Sequence, residues 1–206
     1  IIETKPAGLP TGITYINDQS ATLVAYAPKK SHLFVTGDFN DWLPDNAYQM
    51  KKDGDYFWLK LENLTPQKEY IFQYLIDGKL KVADPYSDKI SDPYDDKYIS
   101  STVYPSLLPY PEGKASDRAS VLQTAQTPYS WKTTSYTIPE KSKLSVYELL
   151  IRDFTTEKTY KAVQEKLAYL KKLGINTIEL MPFSEYEGNS SWGYNPNFYF
   201  APDKAY

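Results

Sequence analysis

The side chains that could hold a substrate are concentrated at the C-terminal end of this chain, in the run "NSSWGYNPNFYFAPDKAY" at residues 189–206. Tyr and Trp rings have a flat apolar face and a polar tip, which suits a surface that stacks on sugars or on a partner. Amide side chains such as those of Asn195 and Asn197 add donors and acceptors for hydroxyl groups. The run therefore indicates a surface that stacks on a sugar or on a partner, with ordinary core packing of the rings as the alternative.

Four carboxylates lie near this run, and two carboxylates at a suitable distance can act as a general acid and a general base. They are Asp153, Glu179, Glu185 and Glu187. Glu179 lies within a predicted buried strand, and Asp153 follows Arg152 at a predicted strand end. We expect structural pairing for both, which makes them poor candidates for catalysis.

The composition excludes several classes of protein. The 206-residue chain has 23 Lys and Arg against 26 Asp and Glu, a net charge of −3 that is too close to neutral to indicate a nucleic-acid partner. It contains no cysteine, which excludes disulfides, thiolate catalysis and thiolate metal sites. The single histidine, His32, opens a predicted strand, so we expect a structural role for it. No apolar run approaches the ~18 residues that span a bilayer.

Residues 12–104 are predicted to form an all-β, immunoglobulin-like sandwich. Short runs rich in β-branched and aromatic residues alternate with Gly and Pro turns: "SATLVAYAP", "HLFVTG", "DYFWLKL" and "EYIFQYLIDG". In the last run Tyr70, Phe72 and Tyr74 fall on one face, as in a half-buried antiparallel strand. Strand signals at this spacing are typical of a β-sandwich. Residues 105–141 are rich in Pro and Ser and have no sustained period, which predicts a linker or a wrapping segment.

The pattern changes near residue 144, where a strand–helix–strand unit is predicted. "LSVYELLI" and "INTIELMPF" are continuous apolar runs, the signature of strands buried on both faces. Between them, apolar residues recur at three- and four-residue steps over 160–173, which predicts an amphipathic helix capped by Gly174. One such unit cannot stand alone, because both faces of its sheet need covering. Residues 142–206 are therefore predicted to be the incomplete start of a larger α/β domain.

These blocks resemble a known family. "VYELLIRDFT", "KLAYLKKLGINTIELMPFSEY" and "WGYNPNFYFAPDKAY" are similar, in order and spacing, to the opening of the catalytic barrel in the α-amylase superfamily of glycoside hydrolases. "LFVTGDFNDWLP" and "YLIDGKLKVADPYS" resemble the β-sandwich that precedes the barrel in branching and debranching relatives, itself similar to starch-binding carbohydrate-binding modules. The resemblance implies that residues 142–206 are the first β-α-β unit of a (β/α)8 TIM barrel whose catalytic domain is truncated.

The resemblance also implies a substrate face. In such barrels the active site is built from loops at the C-terminal ends of the strands, and the run after the second strand lies there. In the family, the Tyr of the matching Gly-Tyr pair stacks under the sugar at the cleavage point, which corresponds to Tyr194 here. Trp192 and Asn195 beside it are the other predicted substrate-binding residues. The carboxylates of the retaining mechanism follow later strands, so the catalytic residues are expected beyond residue 206 and none in this chain.

The sandwich is predicted to dock rather than to bind glycan. The starch-binding relatives use a Trp that matches Trp42, a Lys in the fourth strand and a second Trp after the Asp-Gly turn. Gln73 and Leu80 stand at the last two positions here. By analogy with base–aromatic stacking, the loss of one ring weakens binding by ~1–3 kcal/mol. Trp42 is kept as a candidate glycan contact on the sandwich, with packing on the linker as the alternative.

No cofactor and no metal site are predicted for this chain. The acidic run "ADPYSDKISDPYDDKY" at 83–98 raises the question of calcium, because hard cations take carboxylate oxygens. Its repeated Asp-Pro steps instead favour extended, turn-rich backbone, and we expect a solvated linker face. Calcium in a full-length enzyme stays open, without support from these residues.

The leading hypothesis is the N-terminal portion of an α-amylase-family glycosidase or transglycosidase acting on α-glucans such as starch, glycogen, pullulan or maltooligosaccharides. The alternative is a non-enzymatic α-glucan-binding or regulatory module with a vestigial barrel. A generic adhesion-type sandwich is a third hypothesis, but it leaves the strand–helix–strand unit unexplained. The chain begins with Ile1 rather than Met, which fits a removed leader, so a secreted or bacterial cell-envelope protein is expected, with the cytoplasm as the alternative.

We predict that the purified 206-residue chain releases no reducing sugar from starch or pullulan, because the two carboxylates that flank the scissile bond are expected outside it. A reducing-sugar assay checks this, with the heat-treated protein as the control. Release above that control would contradict the prediction.

Overall fold

The structure, a computed structural model, describes residues 1–133 and 135–206. Within them the strands are β1 (Gly12–Asn17), β2 (Ser20–Tyr26), β3 (Leu33–Gly37), β4 (Lys51–Asp53), β5 (Tyr56–Leu61), β6 (Glu69–Ile76), β7 (Leu80–Val82), β8 (Ile90–Ser91), β9 (Ala119–Gln123), β10 (Val146–Leu149), β11 (Thr177–Leu180), β12 (Ser184–Tyr186) and β13 (Pro196–Pro202). The α-helices are α1 (Ile151–Phe154), α2 (Tyr160–Glu165) and α3 (Leu167–Lys172), and 3₁₀ turns cover Asn46–Tyr48, Asp96–Tyr98 and Lys141–Lys143. None of the helices in these residues has the length and apolar character needed to cross a membrane.

The first part of the chain folds into two antiparallel sheets. One sheet has the strand order β1-β2-β5-β4, and the other has the order β3-β6-β9-β8, with β7 paired to the end of β6. Side chains from both sheets form one buried cluster, which includes Leu23, Phe57, Phe72, Tyr74 and Leu122. Two sheets around a shared core are the arrangement of a β-sandwich, which agrees with the prediction for this part of the chain.

β9 lies inside residues 105–141, the stretch that the sequence predicts to be a linker. It pairs with β6 on one side and β8 on the other, and Ala119, Val121 and Leu122 are buried. This strand therefore belongs to the second sheet. Its five residues are too short to reveal a period between Pro- and Ser-rich flanks. The division of the chain into domains stays a prediction, and β9 belongs to the sandwich rather than to a linker.

The expectation of a solvated acidic run at 83–98 is wrong. Asp84, Asp92 and Asp96 are all buried. Asp84 accepts hydrogen bonds from the Tyr74 hydroxyl at 2.7 Å and from a backbone N–H, and Asp92 accepts from the Arg118 guanidinium at 2.6 Å. Buried carboxylates are tolerated when donors surround them, and charge-assisted bonds of this kind are the stronger ones. The run is therefore an internal framework of the sandwich.

The second part of the chain contains the predicted strand–helix–strand unit. β10 and β11 pair in parallel, from Val146 opposite Thr177 to Leu149 opposite Leu180. The predicted helix is present as two segments, α2 and α3, which Lys166 separates. It begins where the Thr159 hydroxyl accepts from the Ala162 N–H, and it ends at Gly174, whose φ is +94°. The N-cap oxygen and the left-handed glycine are the expected helix boundaries.

The two parallel strands are less buried than their apolar runs predict. Leu149, Ile151, Val163 and Leu170 form a core on one side, together with the tyrosines of the C-terminal segment. Val146, Leu180 and the helix residues Leu167 and Leu173 are exposed. The expectation of burial on both faces is therefore not met in this structure, because no second layer covers these side chains among the described residues.

The buried Tyr74–Asp84 pair makes a test of the sandwich core. We expect Tyr74→Phe to lower the free energy of unfolding by about 1–3 kcal/mol, because the Asp84 carboxylate loses a donor inside the protein. Urea denaturation measures this change. Tyr56→Phe, which removes the hydroxyl of an exposed ring, is the matched control and should change stability by less than about 0.5 kcal/mol. Equal effects of the two substitutions would contradict the expectation.

Candidate functional site

The candidate site is a β-hairpin that directly follows the parallel strand β11. β12 and β13 pair antiparallel, with Glu185 opposite Phe198 and Tyr186 opposite Pro196, and the register shifts twice. Residues 187–195 connect the two strands and are called the hairpin loop below. The aromatic-rich end of the chain is thus partly regular structure, and the predicted substrate-binding residues Trp192, Tyr194 and Asn195 all lie on its loop.

Gly193 determines the course of the hairpin loop. Its φ is +84°, and a Cβ at this position would lie 2.2 Å from the carbonyl oxygen of Pro182. Its N–H donates to the Ser191 hydroxyl, which in turn donates to the Asn195 side-chain oxygen at 2.5 Å. The left-handed conformation and the close approach both require glycine. The backbone passes so close to Pro182 at Gly193 that no side chain fits there. This explains why the residue before Tyr194 is a glycine.

The rings of the hairpin loop are open to solvent. Trp192 is 64% exposed and Tyr194 is 65% exposed, and Asn195 is exposed beside them. Tyr199 and Phe200 on β13 are exposed as well. The alternative of ordinary core packing is therefore not observed for Trp192 and Tyr194. Exposed flat rings are what stacking on a ligand requires, while the role of each of these residues stays a prediction.

Arg152, which lies in α1 just after β10, fixes the hairpin loop. Its guanidinium donates to the Ser191 carbonyl oxygen at 2.8 Å and to the Asp153 carboxylate at 2.9 and 3.2 Å. The expected structural pairing of Asp153 is confirmed, and Arg152 holds the pKa of this carboxyl below its ordinary value. Glu179, for which pairing is also expected, is exposed on β11, and no ion pair reaches it within the described residues. Asp153 therefore supports the loop through Arg152.

A buried ionic cluster, which the sequence analysis does not predict, lies at the base of the hairpin. It consists of Asp96, Glu185, Asp203 and Lys204. The Lys204 ammonium is 5% exposed, donates to the Glu185 carboxylate and lies 3.1 Å from an Asp96 oxygen. Asp203 accepts from the Ala205 N–H with one oxygen, and its other oxygen has no hydrogen-bond partner within the described residues. The one sequence signal is a charged pair, Asp203–Lys204, set between apolar residues after a strand.

Burial governs the protonation of this cluster. It raises the pKa of Glu185 to about 7, although Lys204 opposes the shift, and it raises the pKa of Asp203 to about 6. Burial by itself lowers the pKa of Lys204, but the carboxylates of Glu185 and Asp96 outweigh it and raise that pKa overall. Lys204 is therefore charged throughout the neutral range, while Glu185 changes its charge within it.

The sandwich contacts the hairpin at three places. Asp95 accepts from the Gly188 N–H at 2.9 Å with its carboxylate and from the Asn189 side chain at 3.0 Å with its carbonyl oxygen. Asp96 reaches Lys204 in the ionic cluster. The Tyr86 ring stacks on Phe200 with 5.5 Å between ring centroids. These contacts agree with the prediction of a docking sandwich.

Trp42 is not available as a glycan platform. Trp42 is 5% exposed and belongs to a buried cluster with Ile71 and Val121, against which Leu108 from the predicted linker packs. Its indole N–H donates to Asp38 at 3.0 Å. A buried indole has no free face for a sugar, so the structure favours the alternative of packing on the linker over a glycan contact at Trp42, and the role of this residue stays a prediction.

Gln73 also has a structural role, which fits the loss of a glycan site on the sandwich. It is fully buried, and its amide donates to the carbonyl oxygens of Ser116 and Arg118. Leu80, at the position of the second ring in starch-binding relatives, is exposed and carries no aromatic face. Of the three positions, Trp42 and Gln73 are therefore buried in the sandwich, and Leu80 is an exposed aliphatic side chain.

Comparison with known proteins gives matches over most of the chain, although no protein-family model matches it. It is 29% identical over 180 residues to the malto-oligosyltrehalose trehalohydrolase of Saccharolobus solfataricus, which covers 82% of this chain and 28% of that protein. It is 27% identical over 194 residues to the 1,4-α-glucan branching enzyme of Photobacterium profundum, covering 89% of this chain and 24% of that one. A pullulanase from Anoxybacillus sp. LM18-11, complexed with maltotriose, has a similar fold, with a TM-score of 0.69 and 20% identity over 98% of this chain and 30% of that one. The chain spans about a quarter of the length of the curated relatives it matches.

The raised pKa of Glu185 makes stability depend on pH. A carboxyl with a folded pKa near 7 and an ordinary pKa of 4.5 contributes stability that is fully present below pH 4.5 and lost as the pH rises through 7. Glu185→Gln stays neutral, so the wild type should lose on the order of 3 kcal/mol relative to this variant across that window. Urea denaturation at several pH values measures the difference.

Glu187→Gln, a change at an exposed neighbouring carboxylate, is the matched control and should follow the wild-type curve. Parallel pH profiles for the wild type and Glu185→Gln would show that Glu185 does not titrate in this window.

Proposed function

We propose that this chain, which matches α-amylase-family enzymes over most of its 206 residues, is the N-terminal portion of an enzyme of that family acting on α-glucans. The observation that carries the proposal is the exposed aromatic hairpin loop, which directly follows the second parallel strand and which Gly193 and Arg152 hold in place. The matched proteins include a malto-oligosyltrehalose trehalohydrolase, a 1,4-α-glucan branching enzyme and a pullulanase complexed with maltotriose. Rings that stack on glucose units suit such substrates.

In this proposal, β10, the helices α2 and α3, and β11 are the first β-α-β unit of a (β/α)8 barrel, and an immunoglobulin-like sandwich precedes it. The parallel pairing of β10 with β11 supports this, since barrel strands are parallel and joined by helices. The exposure of Val146 and Leu180 supports it too, because further strands and helices would cover them. The proposed division is a sandwich over 12–104, a connecting segment over 105–141 that contributes β9 to the sandwich, and the barrel start over 142–206.

The hairpin loop would then supply binding and orientation while other strands supply the chemistry. Tyr194 would stack under the sugar ring at the cleavage point, with Trp192 and Asn195 as further contacts. The nucleophile and the general acid of a retaining mechanism would follow later strands of the complete protein. Holding the sugar ring in one orientation lowers the entropy cost of reaching the transition state, which is how a residue without acid–base chemistry contributes to rate.

The second candidate, a non-enzymatic glycan-binding module, fits the structure less well. Trp42 and Gln73, which occupy two of the three sugar-binding positions of starch-binding relatives, are buried in the sandwich. The exposed rings lie on the hairpin loop instead, where a barrel would place its active site.

Tyr194→Ala in the complete protein tests the proposal. We expect kcat/KM on maltooligosaccharides to fall about 10- to 100-fold, which corresponds to ~1–3 kcal/mol of transition-state stabilisation. Thermal unfolding should be unchanged, because the ring is exposed and contributes little to the core. Tyr129→Ala, which removes a ring of matching exposure (66%) from the connecting segment, is the matched control and should leave kcat/KM unchanged. Wild-type kcat/KM for Tyr194→Ala would contradict the assignment.

A further inference from the structure

The hairpin loop is held from two sides by different parts of the chain. On the barrel side, Arg152 donates to the Ser191 carbonyl oxygen. On the sandwich side, Asp95 receives the Gly188 N–H and the Asn189 side chain. The loop that carries Trp192 and Tyr194 is therefore suspended between the two parts, and its position depends on how the sandwich sits against the hairpin.

Lys204 joins three separate segments in the interior. Glu185 lies in β12, Lys204 follows β13, and Asp96 belongs to the sandwich. The ammonium therefore connects the two strands at the base of the hairpin and also pairs with a carboxylate of the sandwich. Loss of Lys204 would leave the buried carboxylates without their counter-charge, which is strongly unfavourable. A cluster of this kind permits one docked arrangement and penalises the others.

Asp95 and Asp96 are themselves held rigidly. The second Asp96 oxygen accepts from the Asp92 N–H at 2.9 Å, and Asp92 accepts from Arg118. The Arg118 guanidinium also lies 4.0 Å from Asp95. The Asp96 carboxylate is therefore hydrogen-bonded to the framework inside the sandwich, and Asp95 is tied to the same framework by its N–H, which donates to the Asp92 carboxylate at 3.3 Å.

We propose that Asp95, Asp96 and Lys204 are positioning residues, through which the sandwich fixes the hairpin loop in its substrate-facing conformation. The sandwich is thus part of the site without touching the substrate. The positioning itself is a property of this chain, whereas its consequence for substrate binding rests on the proposed function.

Amide hydrogen exchange on the 206-residue chain tests the positioning. We expect Asp95→Ala and Lys204→Met to accelerate exchange of the amides in residues 188–195 by at least about tenfold, because local opening governs exchange in a held loop. Exchange in β2 and β5, within the sandwich core, should be unchanged. Asp95→Asn keeps a carbonyl oxygen that can accept from Gly188, so it should restore most of the protection.

Lys172→Met, which removes an exposed lysine from α3, is the matched control and should leave all amides as in the wild type. Unchanged protection of residues 188–195 in Asp95→Ala would overturn the inference. So would equal acceleration in β2 and β5, which would indicate general destabilisation. If Lys204→Met does not fold, the pair Asp95→Ala and Asp95→Asn still decides the question, because Asp95 lies at the edge of the cluster.

The complete protein tests the consequence for the substrate. Asp95→Ala should raise KM for maltooligosaccharides about three- to tenfold with little change in kcat, since it loosens the binding loop and leaves the reacting groups in place. Asp95→Asn should recover the wild-type KM. An unchanged KM beside altered loop exchange would overturn the substrate-facing part of the inference alone. A complete protein without activity on α-glucans would count against the proposed function and leave the exchange result standing.

Discussion

A charge inside a protein must find its counter-charges there, and this requirement organises the contact between the two parts of the chain. Lys204 is buried with the carboxylates of Glu185 and Asp96 as its partners. Removing ions from water costs several kcal/mol each, so such a cluster adds little net stability. Its value lies in geometry, because only one arrangement of hairpin and sandwich satisfies all three charges. The stacking of Tyr86 on Phe200 then adds apolar contact in the same arrangement.

The same requirement explains the interior of the sandwich. Asp84, Asp92 and Asp96 are buried one after another, and each has dedicated donors from a strand or a side chain. The connecting segment completes this framework, since β9 lies between β6 and β8 in the second sheet and Leu108 packs against the cluster that contains Trp42. These hydrogen bonds therefore hold the sandwich in one conformation, with carboxylates in fixed positions on the side that contacts the hairpin. Such a shape suits support of a neighbouring site better than binding of a flexible glycan.

Local patterns in the sequence predicted the strands and the helix. Which polar side chains are buried depends on partners that are distant in the sequence. Alternation and apolar periodicity located most strands and the helix, and Gly174 marked its end. The burial of the acidic run could not be predicted, because its donors come from elsewhere in the chain: Arg118 lies 26 residues from Asp92, and Gly188 lies 93 residues from Asp95. Trp42 illustrates the same limit, since an exposed and a buried indole have the same local sequence. For the candidate site, the aromatic loop was evident from composition, whereas the only sequence signal of the ionic cluster is the Asp203–Lys204 pair between apolar residues.

The uncovered parallel pair of β10 and β11 has a consequence for the order in which the protein is made. The sandwich sheet is complete once Gln123 has been synthesised, so its core can form while later residues are still in the ribosome. The parallel pair, in contrast, leaves strand edges and apolar faces open, and open edges are templates for pairing with other chains. Val146 and Leu180 are therefore exposed apolar surfaces that a nascent chain must protect. Because the sandwich can fold first, its carboxylates form a folded surface on which the hairpin can dock when it is synthesised.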